Sequence, residues 1–148
     1  MGAFMSKKIR VLALGLIQDQ NRLFLSQGYD SVKQENFYRA LGGGIDFGEQ
    51  SRDALQREFL EEIQATLTNI QYLGCLENLF VHNGKPGHEI VQLYKCDFAD
   101  PKFYQIEQLT FKEGKREKIA LWIPFERILS GELILYPENF LEYCVNPK

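Results

Sequence analysis

The first part of the chain alternates apolar runs of strand length with short polar stretches. Residues 8–17 are mostly apolar, and residues 22–27 partly alternate between apolar and polar side chains. With residues 18–21 as a turn, this pattern predicts a hairpin at the start of a sheet. Residues 28–35 predict a polar loop, and residues 36–41 predict a short strand.

A glycine-rich loop followed by an amphipathic helix is predicted next. The loop spans residues 42–49 and begins with three consecutive glycines, which allow another group to approach the backbone closely. From Ser51, which is placed to cap a first helical turn, apolar residues recur at every fourth position. These residues are Leu55, Phe59 and Ile63.

The second half of the chain predicts further strands and two short helices. Residues 67–80 predict one or two strands with a break near Gly74, and residues 89–98 predict a returning antiparallel strand. The turn between them contains Asn83-Gly84 and Pro86-Gly87. The remaining expected elements are a long charged connection at residues 100–118, a strand at 119–124 with Trp122 in the core, and helices at 125–129 and 137–143.

Composition indicates a single domain over residues 1–148, with residues 1–7 flexible. Hydrophobic residues make up 45% and charged residues 25% of the chain, as in globular proteins. The net charge of -3 and the dispersed basic residues argue against a nucleic-acid polymer as partner. No apolar run is long enough to span a membrane, although Gly2 and Ser6 match a loose acylation pattern.

The three cysteines, Cys75, Cys96 and Cys144, lie far apart and form no CxxC pair. This spacing predicts free thiols in a reducing compartment, and hence a cytoplasmic protein.

Three glutamates in the predicted helix form the main candidate for chemistry. Glu58, Glu61 and Glu62 occupy positions i, i+3 and i+4, so their carboxylates share one helix face. Like charges at this spacing repel, and Arg57 is the local cation. Such oxygen-rich clusters are typical ligands of Mg²⁺ or Mn²⁺. The alternative is an acidic helix face that is simply solvated.

The loop and helix together resemble the signature of the Nudix hydrolases, G-x5-E-x7-R-E-U-x-E-E-x-G-U, where U is aliphatic. The matching residues are Gly43, Glu49, Arg57, Glu58, Glu61 and Glu62. Gln64 replaces the last glycine of the signature, which affects the turn at the helix end more than the acids. The resemblance implies the Nudix fold, an α/β (α+β) architecture with a mixed sheet between helices.

The resemblance also implies an activity and residue roles. The expected reaction is hydrolysis of the pyrophosphate linkage in a nucleoside diphosphate joined to another moiety, with Mg²⁺ or Mn²⁺ as cofactor. Glu58 and Glu62 would be principal metal ligands, and Glu61 an accessory ligand or water-orienting carboxylate. Glu49 would be a further catalytic acid, with Arg57 holding Glu49 or Glu61 in place.

The substrate-binding residues expected from the same resemblance lie in other segments. They are Arg39, Gly43, Gly44, His88 and Glu89, with Glu77 and Asn78 nearby. Arg39 has an alternative as a surface residue paired with Asp46 or Glu49, and His88 has an alternative as a structural or solvated side chain. Glu113 and Glu117 are candidate catalytic bases by placement, and solvated loop charges are the alternative for both. Tyr29, Phe103 and Tyr104 are candidates for stacking on a base.

Two other functional classes remain open at this level. A Nudix-like module would bind a nucleotide without cleaving it, and a structural domain would carry an acidic helix without chemistry. The complete set of signature acids disfavours the binding module. Many members of the family pair as homodimers, which is one alternative for the oligomeric state.

Overall fold

The computed structural model of the protein describes residues 7–144. The expected flexibility of the first residues and the acylation pattern at Gly2 and Ser6 therefore lie outside the described residues, apart from Lys7. The strands and α-helices in chain order are β1 (Ile9–Leu16), β2 (Gln18–Asp19), β3 (Arg22–Asp30), β4 (Glu35–Arg39), β5 (Leu41–Gly44), α1 (Ser51–Ile63), β6 (Leu67–His82), β7 (Lys85–Phe98), β8 (Gln108–Glu113), β9 (Arg116–Pro124) and α2 (Phe125–Leu129). Two 3-10 helices lie at Pro101–Tyr104 and Glu138–Tyr143.

The described strands form two sheets. The first has the order β5-β1-β7-β6, in which β1 pairs in parallel with β7 and antiparallel with β5. The second has the order β2-β3-β9-β8, and β4 also pairs with β3. The strand pairs of the second sheet are antiparallel.

The predicted hairpin between residues 8–17 and 22–27 is wrong, because β1 and β3 belong to different sheets. Strand β2 forms the hairpin with β3 instead, pairing Gln18 with Leu23. The C-terminal part of β1 is buried on both faces, as expected of an interior strand. An apolar run of this kind predicts burial and does not select the neighbouring strand.

The three glycines predicted as a loop form strand β5. Its residues pair with β1, and a side chain on Gly42, whose φ is 144°, would collide with the carbonyl oxygen of Ala13. The strand predicted at residues 36–41 is divided at Ala40, because β4 joins the second sheet and β5 the first. The connecting loop lies between Gly44 and α1.

Helix α1 has the predicted apolar stripe, with Leu55, Phe59 and Ile63 buried. The prediction that Ser51 caps the helix is wrong. Gln50 occupies the N-cap position without a side-chain cap, and the Ser51 hydroxyl shares a hydrogen bond of 2.5 Å with the hydroxyl of Tyr94.

The long connection expected at residues 100–118 is largely regular structure. A 3-10 helix begins after Asp100, whose carboxylate accepts a hydrogen bond from the backbone N–H of Lys102 at 3.0 Å. Strands β8 and β9 then form an antiparallel hairpin that turns at Gly114, where φ is 64°. The sequence of this hairpin did not predict strands, because charged side chains occupy its exposed positions.

Two clusters of buried apolar residues place the sheets between helices. One cluster packs Leu55 and Phe59 of α1 against Trp122, and the other packs Ile128 of α2 against Leu14. The expected α+β class and the core position of Trp122 are confirmed. The predicted helix at residues 137–143 is a 3-10 helix that begins after Pro137.

The three cysteines are free, as predicted. In the part of the chain from residue 7 to residue 144, neither α-helix has the length and apolar character needed to cross a bilayer.

Gln64 generates a prediction about stability. It ends α1 in the left-handed conformation, with φ 53° and ψ 38°, which glycine adopts without steric cost. Gln64→Gly should therefore raise the free energy of unfolding by about 0.5–1 kcal/mol, since the relief of strain exceeds the entropy that glycine adds to the unfolded chain. Urea denaturation measures this. Gln64→Ala is the control and should bring no gain, and a loss of stability in Gln64→Gly would contradict the prediction.

Candidate active site

Helix α1, strand β5 and the β8–β9 hairpin enclose a narrow cleft. Its cavity has a volume of about 70 Å³. Gly42 and Gly43 form part of its wall. The charged residues that line it are Arg10, Arg39, Glu62, Glu113 and Lys118.

Arg57 ties the loop before α1 to the helix. Its Nε and Nη2 donate to the two carboxylate oxygens of Glu49 at 2.8 and 2.9 Å, and Nη2 also donates to the carbonyl oxygen of Gly44 at 2.9 Å. The backbone N–H of Asp46 donates to Glu49 at 3.1 Å. The hydrogen bond from Arg57, followed by that from Asp46, lowers the pKa of Glu49 to about 2. Glu49 is therefore ionised at neutral pH.

Arg57 also contacts two of the predicted metal ligands. Its Nη1 donates to Glu58 at 2.9 Å and to Glu61 at 3.3 Å. The Glu58 side chain faces strand β5 so closely that a Cβ on Gly43 would lie 2.5 Å from its carboxyl carbon. Glu61 is more exposed, with 59% of its side chain accessible against 18% for Glu58. Glycine at position 43 thus makes room for the Glu58 carboxylate.

Glu62 extends into the cleft. Its Oε1 is buried and has no hydrogen-bond partner among the residues that the structure describes. Burial, followed by the negative charges of Glu113 and Glu58, raises the pKa of Glu62 to about 8. A carboxylate in this setting needs nearby positive charge before it ionises at neutral pH.

The donor set at Glu58 and Glu62 fits a hard divalent cation. The unpartnered Glu62 oxygen lies among carboxylates, which are the oxygen ligands that Mg²⁺ and Mn²⁺ prefer. Within residues 7–144, however, no group of three or more His, Cys, Asp or Glu side chains is arranged to hold a metal. The guanidinium of Arg57 pairs with Glu58 and Glu61 instead.

The two candidate bases occupy different places. Glu113 lines the cleft with Glu62, and its Oε1 pairs with Nζ of Lys118 at 3.1 Å. Glu117 lines a separate cavity beside Tyr29 and Asn36. The structure therefore brings Glu113, and not Glu117, to the acidic cluster.

An aromatic chamber adjoins the cleft. We define it by Phe37, Phe80, His82 and Tyr136, which line a cavity of about 200 Å³. The Phe37 ring meets the rings of His82 and Tyr136 edge-on, each at a centroid distance of 5.4 Å. The chamber and the cleft share four lining residues, namely Arg10, Arg39, Glu113 and Lys118. A ligand longer than the cleft can therefore extend into the chamber.

Arg39 stands at this junction. Its Nη2 donates to Glu89 at 3.2 Å, so the alternative pairing with Asp46 or Glu49 is wrong. Glu89 is 1% exposed and also accepts a hydrogen bond from Asn78 at 3.4 Å.

The family model of the NUDIX domain matches residues 6–144. The chain belongs to the NUDIX domain family.

Individual relatives of this NUDIX protein are distant. The NAD(P)H pyrophosphatase NUDT13, mitochondrial, of Mus musculus is 24% identical over 119 residues, which are 74% of this chain and 33% of that protein. The chain thus spans about a third of the length of that relative. A NUDIX hydrolase from Nitrosomonas europaea has a TM-score of 0.65 at 14% identity, covering 91% of this chain and 85% of that one. A structure described as an ADP compounds hydrolase has a TM-score of 0.54 at 16% identity, covering 84% and 62%.

The comparisons confirm the resemblance and the fold class that the sequence predicted. Within this NUDIX fold, Arg57 joins Glu49, Glu58 and Glu61 in one network, and Glu62 lies in the cleft.

Other predicted residues lie outside the cleft and the chamber. His88 precedes Glu89 in β7, so the two side chains alternate in direction, and His88 lines another cavity with Lys8 and Lys85. Phe103 stacks on Phe98 at 4.5 Å in the core, so it is not available to stack on a base. Tyr104 is likewise stacked on Trp122, and Tyr29 lines the cavity of Glu117.

The sequence did not predict several residues that line the cleft and the chamber. Arg10 and Lys118 line both cavities, and Phe37 and Tyr136 line the chamber. Their proximity depends on strand register and on a bridge between Tyr38 and Leu135 that docks the C-terminal segment. No local spacing in the sequence encodes these contacts.

The Arg57–Glu49 pair predicts a pH dependence. In the folded protein the pKa of Glu49 lies below its usual value of 4.5. The Arg57–Glu49 pair therefore adds to the free energy of unfolding above about pH 4.5, and this contribution is lost as the pH falls toward 2. Arg57→Ala should lower the urea midpoint at neutral pH. The difference in midpoint between this variant and the wild-type protein should become smaller as the pH is lowered from about 6 to about 3. Arg127→Ala, which removes an exposed pair with Glu132, is the control. A difference that is constant across this range would refute the prediction.

Proposed function

We propose that this NUDIX protein is a divalent-metal-dependent pyrophosphohydrolase. The substrate class would be a nucleoside diphosphate joined to another moiety. The observation that carries the proposal is Glu62, whose carboxylate lies beside Glu58 and Glu113 with one buried oxygen that no described residue hydrogen-bonds. This environment is unfavourable for the free side chain, and a cation together with a phosphate ligand would complement it.

The acidic residues have distinct roles in this proposal. Glu58 and Glu62 would hold the ion, and Glu61 would be an accessory ligand. When bound, Mg²⁺ or Mn²⁺ would supply positive charge at the diphosphate and acidify a coordinated water. Arg57 holds Glu58 and the Glu49 loop in place through its hydrogen bonds. Glu113 would accept the proton of the attacking water at a carboxylate oxygen.

The surroundings of the cleft orient the substrate. The diphosphate would lie along the backbone of Gly43, which lines the cleft, and of the adjacent Gly44, with Arg39 supplying positive charge beside it. The nucleoside would extend into the aromatic chamber, whose rings provide apolar surface for a base. The names of the mouse relative, an NAD(P)H pyrophosphatase, and of the ADP compounds hydrolase support this substrate class.

Glu62→Gln tests the metal role. The substitution keeps the shape of the side chain but removes the charge, so kcat should fall by roughly 100-fold or more. Turnover is measured by chromatography of products from a panel of nucleoside diphosphate derivatives with Mg²⁺, and Mn²⁺ affinity by calorimetry. Glu126→Gln, at an exposed position on α2, is the control.

Three outcomes would count against this assignment. Wild-type kcat in Glu62→Gln would remove Glu62 from the metal site, and unchanged Mn²⁺ affinity would do the same. Tight binding of a panel compound by the wild-type protein, without any phosphate-ester product from the panel, would favour the non-catalytic binding module.

Glu113→Gln tests the assignment of the base. Loss of a general base lowers kcat by about 10²–10⁴-fold, and we expect an effect in this range. Glu117→Gln should have a much smaller effect, because Glu117 lines a different cavity. Single-turnover kinetics of both variants measures the chemical step, and a larger loss in Glu117→Gln would reverse the assignment.

A further inference from the structure

Glu89 is a buried carboxylate that contacts two arginines. Its Oε1 accepts hydrogen bonds from Nη2 of Arg39 at 3.2 Å and from Nδ2 of Asn78 at 3.4 Å. Its Oε2 lies 3.9 Å from Nη1 of Arg10. The carboxylate thus has one arginine on each oxygen.

The partners of Glu89 come from both sheets. Arg10 in β1 and Asn78 in β6 are the direct strand partners of Glu89 in β7, so the three side chains form one row across the first sheet. Arg39 belongs to β4 of the second sheet. Glu89 therefore fixes the positions of guanidinium groups from two separate sheets.

The charges of this cluster do not cancel. One carboxylate faces two guanidinium groups, so a unit of positive charge remains. Both arginines line the cleft and the chamber, and 62% of the Arg10 side chain and 21% of the Arg39 side chain are exposed. A buried ion pair is weak evidence for stability, and an ion pair that served stability alone would need one cation.

We propose that Arg10 and Arg39 form an anion subsite at the junction of cleft and chamber, and that Glu89 is its positioning residue. The ligand group is a phosphate of the diphosphate on the chamber side, since guanidinium groups match phosphate oxygens in shape and charge. Glu89 lines the chamber but is 1% exposed, and its role is to hold the arginines. The orientation of the substrate in this inference rests on the proposed function, but binding of an anion does not.

Binding without metal tests the subsite directly. Calorimetric titration with inorganic pyrophosphate in EDTA should show binding to the wild-type protein. The affinity should be at least about tenfold lower for Glu89→Gln, since we expect the loss of ordered guanidinium positions to outweigh the unit of negative charge removed. With Mg²⁺ and a hydrolysed compound, KM should rise to a similar extent, while kcat changes by less than about threefold. Glu132→Gln removes the charge from an exposed partner of Arg127 and should leave both measurements unchanged.

A double-mutant cycle separates positioning from a purely structural role. If Glu89 acts through the arginines, then Glu89→Gln should cause a smaller loss of pyrophosphate affinity in an Arg39→Lys background than in the wild-type protein. Additive losses, or wild-type affinity in Glu89→Gln, would overturn the role of Glu89. Circular dichroism checks that each variant is folded.

Two outcomes concern the subsite itself. If Glu89→Gln does not fold, Arg10→Lys and Arg39→Lys become the test of the subsite. Wild-type pyrophosphate affinity in both variants would overturn the subsite. An absence of pyrophosphate binding to the wild-type protein would also overturn it.

Different results would contradict the anion subsite and the proposed enzyme activity. Pyrophosphate binding that depends on Arg10 and Arg39, without hydrolysis of any compound, supports the subsite and counts against the enzyme. Hydrolysis with an unchanged KM in Glu89→Gln supports the enzyme and overturns the positioning role.

Discussion

Close contact between helix α1 and strand β5 is the constraint on which the site depends. The Glu58 carboxylate lies where a side chain on Gly43 would be, and Arg57 donates to the carbonyl oxygen of Gly44 at 2.9 Å. The apolar stripe of α1 holds the helix in this position from its buried side. Because the same helix carries apolar residues toward the core and carboxylates toward β5, packing of the core also places the acids at the cleft.

Two buried carboxylates, those of Glu89 and Glu62, have opposite electrostatic surroundings. Glu89 lies between two arginines and an amide, so its charge is compensated within the fold. Glu62 has a buried oxygen without a hydrogen-bond partner in the described residues 7–144, and burial, followed by the charges of neighbouring acids, raises its pKa to about 8. The contrast separates a residue whose charge is balanced by arginines from one whose burial and acidic neighbours disfavour the charged form.

The cleft draws its residues from both sheets and from α1. Arg10 comes from the first sheet, Lys118 from the second, and Glu62 from the helix. The cations that line the cleft therefore lie on strands, and the metal-ligand candidates lie on α1. A diphosphate and a divalent ion would bridge these elements, which is consistent with a site that is completed by its ligands.

Local spacing along the chain was sufficient to predict the helix, its apolar stripe and its acidic face, because residues three and four apart in a helix are neighbours whatever the rest of the fold does. It was also sufficient for the family, since the signature lies within one loop and one helix. The pairing of β1, the strand formed by Gly42, Gly43 and Gly44, and the meeting of Arg39 with Glu89 were decided by tertiary structure alone. Strand partners and contacts between sheets join residues far apart in sequence, so no local pattern specifies them.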